Sequence, residues 1–297
     1  MDMSSFMQFV LTGFAAGCAY ALVALGFVLC ANVSGVINFA QGEYVMVGGL
    51  LMASLSSLSL PLPLSLMLVA LVGAALGGAQ ERLSLAPVRD QSAFIQISIT
   101  LGVAVMLRGL ALLIWGKDPV SVPGFSGEGV FDVAGAVLAS QDLWVWATTG
   151  LLLATTYLLL NHTDWGRAVR ACSDNPHAAR LMGIDTARTT LIVFAAAGAA
   201  GALAGAVVAP LALAHWSLGL EYGLKGFIGA IIGKLRHPLL AVLGGLGVGV
   251  VESLAAAYIS SGSKDFVTYG ILLAYLLVQG GALRGKRPAL SAAGEHE

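Results

Sequence analysis

Charge is what this sequence has least of. Of its 297 residues, 10% are Asp, Glu, Lys or Arg and 58% are hydrophobic, whereas a typical soluble domain is about 25% charged. A water-soluble fold of this length would lack the polar surface to cover itself. The formal net charge of -1 offers no basic face to phosphates, which excludes a nucleic-acid partner. Cysteine is scarce too. Cys18, Cys30 and Cys172 stand apart, without metal-ligand spacing or an even-numbered disulfide framework, and all read as packing residues. The glycine-rich nucleotide loop that ends in Gly-Lys-Ser/Thr is missing, because Gly233-Lys234 has neither the earlier glycine nor the following hydroxyl. If ATP powers this protein, another chain binds it. His162, His177, His215, His237 and His296 form no ligand cluster, no hydrolase or metalloprotease motif occurs, and no metal or cofactor is expected. The N-terminus has no Lys or Arg ahead of its first apolar run, and that run is too long for a cleavable signal peptide.

What is present is long apolar runs, at 6–31, 33–58, 62–79, 94–115, 143–160, 189–214, 239–260 and 266–283. Blocks of about 18 or more apolar residues indicate membrane spans, and unbroken runs select helices over barrel strands, which alternate and span in about ten residues. The expectation is an all-α, polytopic transmembrane bundle forming one permease domain over 1–297, with about eight spans. A shorter apolar piece, 218–232, carries Glu221 and Lys225 and either crosses or re-enters.

The connections differ in charge. Arg82 and Arg89, then Arg167, Arg170, Arg180 and Arg188, then Arg284, Lys286 and Arg287 mark cytoplasmic segments, whereas 116–142 has one Lys among several acids and lies outside. A cytoplasmic polar tail at 286–297 requires 218–232 to cross. The N-terminus lies outside if 33–58 is a full crossing and inside if it re-enters. Glycines four apart, such as Gly13 and Gly17, Gly73 and Gly77, or Gly245 and Gly249, allow helix backbones to approach closely.

Two stretches carry the functional signal. The first, Gly35-Val36-Ile37-Asn38-Phe39-Ala40-Gln41-Gly42-Glu43, puts amides, glycines and an acid at membrane depth. Polar groups there are costly and line pathways, and the pattern suits a broken helix facing a cavity. Asn38, Gln41, Gly42 and Glu43 are therefore the candidate translocation path; the competing reading has the amides bonding a neighbouring helix and Glu43 pairing with a buried cation. Arg108, Glu221, Lys225 and Glu252 read as structural pairs or interfacial groups. The second stretch is the cytoplasmic connection 161–188. Residues 166–173 favour a helix with Arg on one side, Asp174-Asn175-Pro176 is a stop and restart with Asp174 as the expected cap, and a short helix over 177–182 ends at Gly183. A short helix of small residues held beside the membrane suits docking of a soluble partner. Arg167, Arg170, Asp174, Ala178, Ala179, Leu181 and Gly183 are the candidate coupling residues.

At these residues the chain resembles the permeases of branched-chain amino-acid ABC importers. The resemblance rests on the 35–43 motif, on Glu81-Arg82 with Pro87-Val88-Arg89, on 166–171 followed by Leu181-Met182-Gly183-Ile184, on Gly223 to Phe227, on Gly244-Gly245 and Glu252, and on 258–265. It implies an inner-membrane importer subunit, not an enzyme, that works with two ATPase subunits, a second homologous permease and a periplasmic binding protein. It also implies that 178–183 is the helix seated on an ATPase. Gln41 stands where His is usual, Arg108 where Gln is usual, Gly233-Lys234-Leu235-Arg236-His237-Pro238 replaces a Gly-Gly-Leu-Gly-Ser/Asn turn, and Val278-Gln279-Gly280 lacks the usual Arg-Pro. The expected cargo is a branched-chain or related amino acid, or an amide or urea. The rival readings are a secondary carrier driven by an ion gradient and an intramembrane enzyme; the extended Arg loop and sparse intramembrane acids speak against the first, and the lack of a paired nucleophile and base against the second.

Overall fold

The computed structural model describes residues 3–284 apart from 128, 134, 261 and 263, so the expected tail over 286–297 lies outside the described residues. Among the described residues there are eleven α-helices: α1 (Met3–Ser34), α2 (Gln41–Ser57), α3 (Leu62–Ala79), α4 (Ala93–Trp115), α5 (Ser140–His162), α6 (Asp164–Asp174), α7 (Pro176–Leu181), α8 (Thr186–Ala212), α9 (Leu218–Ile232), α10 (Pro238–Tyr258) and α11 (Lys264–Arg284). A π-helical turn, Gln80–Leu85, and a 3-10 turn, Ala86–Val88, extend α3. Among the described residues, six helices are long and apolar enough to cross a membrane: α1, α3 with its extension, α4, α5, α8 and α10. The second apolar run is divided. α1 continues to Ser34, and α2 restarts only at Gln41 with 17 residues.

The loop 116–139 adds what the apolar pattern could not announce, a two-stranded antiparallel hairpin of β1 (Val130–Val133) and β2 (Ala136–Ala139). Gln8 near the start of α1 donates to the Val137 carbonyl at 2.8 Å and accepts from the Val137 amide at 2.6 Å. The start of α1 therefore lies beside the acidic 116–139 loop. The far end of α1 reaches the basic side, where Asn32 donates to the Arg236 carbonyl at 3.2 Å. Ala214, ahead of α9, is bridged to Val120 of the outer loop, so the chain passes from the outer to the basic side between Ala214 and Arg236. The 218–232 segment is part of that crossing.

Apolar attraction cannot hold helices together in lipid, so close packing must. The glycine pairs form such seams within the chain. A methyl placed on Gly13 would stand 2.8 Å from the Gly249 carbonyl, and one on Gly17 2.7 Å from the Leu246 carbonyl, so α1 and α10 touch backbone to backbone. Gly73 brings α3 equally close to the Gly198 carbonyl of α8, at 2.6 Å. α1, α2, α8, α9 and α10 enclose the core around Phe27, Met46, Leu50, Val207 and Ile228. Little of α4 and α5 is buried within the chain.

One ionic cluster is set into this core. Lys225 of α9 lies 2.5 Å from Glu252 of α10 and 3.1 Å from Asp265 of α11, and Tyr20 of α1 donates to Glu252 at 2.9 Å. The buried Lys225 and Glu252 would be costly as lone charges, but they neutralise each other, and the more exposed Asp265 adds a second partner for Lys225. The cluster ties together four helices that are far apart in sequence. Glu221, grouped with these residues on sequence, is exposed instead.

Candidate functional site

The break between α1 and α2 is built from its own polar side chains. Gly35 takes φ of 73°, a left-handed exit that a side chain would resist. Freed backbone groups in hydrocarbon need internal partners, and they find them. The Ala40 amide donates to Asn38 Oδ1 at 3.1 Å, and the Phe39 amide donates to Thr100 Oγ1 of α4 at 3.2 Å. Gln80, in the π-turn of α3, donates to Asn38 Oδ1 at 2.6 Å, accepts from Asn38 Nδ2 at 3.3 Å, and also accepts from the Tyr44 hydroxyl. Asn38 is thus saturated and fixes the shape of the break.

Gln41 and Glu43 sit in the first turn of α2. Gln41 Nε2 donates to the Ala197 carbonyl of α8 at 3.0 Å, and its side chain occupies the space left by Gly26 of α1. Glu43 forms an ion pair with Arg108 of α4, and the positive end of the α2 dipole also favours its charge. Both residues are buried, yet Gln41 Oε1 and Glu43 Oε2 have no hydrogen-bond partner among the described residues. Such acceptors normally do not stay unsatisfied. Gly42, between them, lets α2 meet α9: a methyl there would stand 2.6 Å from Gly223 Cα. All four candidate path residues are buried at this junction: Asn38 and Gln41 hydrogen-bond neighbouring helices, Glu43 pairs with Arg108, and Gly42 forms the seam with α9. Gln80, Tyr44 and Thr100 also belong to the junction, although the apolar pattern does not single them out. The polar Gln80-Glu81 pair at the end of an apolar run was the one available signal, and Glu81 itself is buried against Arg89.

The second candidate region folds as an elbow below α5. Thr163 caps α6 by accepting from the Gly166 amide at 3.1 Å. Gly166 packs so near the Leu159 and Leu160 carbonyls that no side chain would fit, and Arg170 donates to the Leu160 carbonyl. α6 turns Gly166, Val169 and Cys172 inward, while Arg167, paired with Asp164, stays outside with Arg170 and Asp174. Burial pushes the Cys172 thiol above its ordinary value, opposed by a Thr189 hydrogen bond and by Arg180.

α7 is capped by Asn175, which accepts from the His177 and Ala178 amides, both at 3.0 Å. Asp174, the cap expected from sequence, is one residue too early and stays exposed. Gly183, with φ of 85°, takes the chain out of the helix, and Asp185 caps α8 by accepting from the Arg188 amide at 2.9 Å. The faces of α7 also differ from a uniform docking surface. Ala179 is 4% exposed and turned into its own chain, whereas Ala178 is exposed, and Leu181 and Met182 are 77% and 83% exposed. Leu181 and Met182 thus form an exposed apolar pair at the C-terminal end of a short, capped helix. Among the described residues, no group of three or more His, Cys, Asp or Glu could hold a metal.

A helical bundle that is broken at a polar junction between α1 and α2, and whose capped elbow projects from the basic side, has the architecture of a polytopic membrane permease. The chain belongs to the family described as the permease component of branched-chain amino acid transport systems, whose profile matches residues 9–276. That family transports and does not catalyse, so the chain is a permease and not an enzyme. It is 29% identical to the high-affinity branched-chain amino acid transport system permease protein LivH of Salmonella typhimurium, over 95% of this chain and 96% of that protein. It is 26% identical to the corresponding BraD protein of Pseudomonas aeruginosa over the same shares. A probable branched-chain amino acid permease of Methanocaldococcus jannaschii is 31% identical over 86% of this chain and 84% of its own length. No solved structure matches the chain.

Proposed function

We propose that this permease is the membrane subunit of an ATP-driven importer in the bacterial inner membrane, carrying branched-chain or chemically related amino acids handed over by a periplasmic binding protein. It pairs with a second homologous permease, and of the two ATPase subunits that drive the pair, one is seated on α7 of this chain. The observation that carries this reading is the exposed Leu181 and Met182 pair on a helix fixed at both ends by Asn175 and Gly183, in a chain without a nucleotide loop of its own. Relatives matched over almost their full length are named as branched-chain amino acid permeases, which supports the substrate class.

The path runs past the start of α2. Gln41 Oε1 and Glu43 Oε2 offer buried acceptors to the ammonium group, or the accompanying water, of a passing amino acid. Asn38 and Gly42 shape the break and the α9 seam beside them. Purified chain reconstituted alone is expected to show no leucine accumulation with ATP or with an imposed proton or sodium gradient, and uptake is expected once ATPases, second permease and binding protein are added. Gradient-driven accumulation by the chain alone would overturn the reading in favour of a secondary carrier.

A further inference from the structure

A cavity of about 390 Å³ lies between α1, α5, α6 and α10, on the basic side of the bundle. Its depth is apolar, lined by Leu25 and Leu29 of α1, Leu153 of α5 and Val242 of α10, while Arg170 and Arg236 stand at its mouth. Among the described residues, neither arginine has an acid within ion-pair distance. Arg170 uses part of its guanidinium on the Leu160 carbonyl and keeps its remaining donors. The one acid at the rim, Asp174, leaves the mouth with an excess of positive charge.

A second, independent observation concerns the segment that delivers Arg236. Lys234 and Leu235 are consecutive residues with side chains held at φ of 55° and 52°, a conformation that glycine adopts freely and other residues resist. The backbone is pinned there by the Leu235 amide on the Ala230 carbonyl at 2.9 Å and by Asn32 on the Arg236 carbonyl at 3.2 Å. Strain of this kind gathers at ligand clamps. Little of α5 is buried against the rest of the chain, so the cavity lies at the edge of the bundle, beside an apolar helix of membrane-spanning length.

We propose that this cavity binds an anionic glycerophospholipid of the cytoplasmic leaflet, phosphatidylglycerol in type. The upper part of one acyl chain lies along Leu25, Leu29, Leu153 and Val242, the phosphate sits between Arg170 and Arg236, and Asp174 accepts from a headgroup hydroxyl. Basic pockets between helices on the cytoplasmic side suit such headgroups. The bound lipid joins α6, at the root of the coupling elbow, to α1 and α10 of the core. The binding itself does not depend on which solute the permease carries.

The test uses the purified full chain, stripped of lipid in detergent and offered phosphatidylglycerol or phosphatidylcholine with the same acyl chains, with bound lipid counted by native mass spectrometry. Phosphatidylglycerol should be retained preferentially. That preference should fall about fivefold in Arg236→Gln and about 25-fold when Arg170→Gln is added. A photoactivatable phosphatidylglycerol should crosslink within 153–174 and 236–242. Equal retention of both lipids, a preference unchanged in the variants, or crosslinks confined elsewhere would overturn the proposal. Excess inorganic phosphate and excess leucine are expected not to displace the lipid; displacement by either would assign the cavity to a soluble ligand instead. Arg236→Gln alone changes an exposed side chain, so the test stands even where the double variant loses its fold.

Discussion

Replacing Leu181 and Met182 together by Ser tests the docking surface directly. Both side chains lie almost free of their own chain, at 77% and 83% exposure, so the substitutions remove little that holds the permease itself together. If both are buried on an ATPase, each contributes about 1.5–3 kcal/mol relative to exposure. Losing both then costs about 3–6 kcal/mol, roughly two to four powers of ten in affinity. The assay is co-expression with the ATPases, followed by membrane level of the permease, ATPase co-purification and ATP-dependent uptake. The expected result is a normal membrane level with co-purification and uptake both lost. Ala179→Asp should behave differently. Its side chain is turned into the elbow, so an unpaired charge there should lower the membrane level as well. Undiminished co-purification and uptake in the Leu181, Met182 double variant would show that α7 is not the seat of the ATPase.

Three further outcomes follow from the interior. Arg108→Leu strands the buried Glu43 carboxylate and should destabilise the permease by about 3–5 kcal/mol, whereas adding Glu43→Gln should restore much of the thermal stability in detergent; equal melting of the single and double variants would contradict the pairing. Gly42→Val should abolish folded protein, because its first carbon would already be 2.6 Å from Gly223 Cα, while Gly109→Ala, with nothing within 4 Å, should leave the elution profile unchanged in size-exclusion chromatography. All three free thiols are buried, and burial raises the pKa of Cys172 so that the unreactive thiol prevails at neutral pH; native protein should take up no maleimide in minutes, and rapid single labelling would place Cys172 at the surface.

The bundle was legible because apolar runs of membrane length admit few alternatives to helices. The break at 35–43 was legible for the same reason, since amides and glycines in the middle of such a run have no place in an ordinary span. The faces of α7 were not. In a six-residue helix with Ala at both 178 and 179, composition does not distinguish inside from outside, and only the neighbouring α6 and α8 settle which alanine is covered. The cap moved from Asp174 to Asn175 because either residue type can cap, and the choice depends on where α6 ends. The cluster of Tyr20, Lys225, Glu252 and Asp265 joins residues up to 245 positions apart. Each was visible as an ionisable or hydroxyl group in or beside apolar sequence, but their meeting is a property of the packing. Gln80 was overlooked because it ends one run while its partners Asn38 and Tyr44 belong to another.

The α1 and α10 seam has a thermodynamic consequence of its own. Where Gly13 and Gly17 meet Gly249, and Gly245 meets the Ala21 backbone, the glycines have no rotamers to immobilise, so these contacts between the two helices cost almost no side-chain entropy. The same contact has no rotamers to release if the helices separate. Unlike a seam of leucines, it cannot soften gradually by letting side chains explore new positions, and its backbones either stay in register or part. Motion in this permease should therefore concentrate in the exposed α4 and α5 and at the elbow, with α1 and α10 moving as a single body.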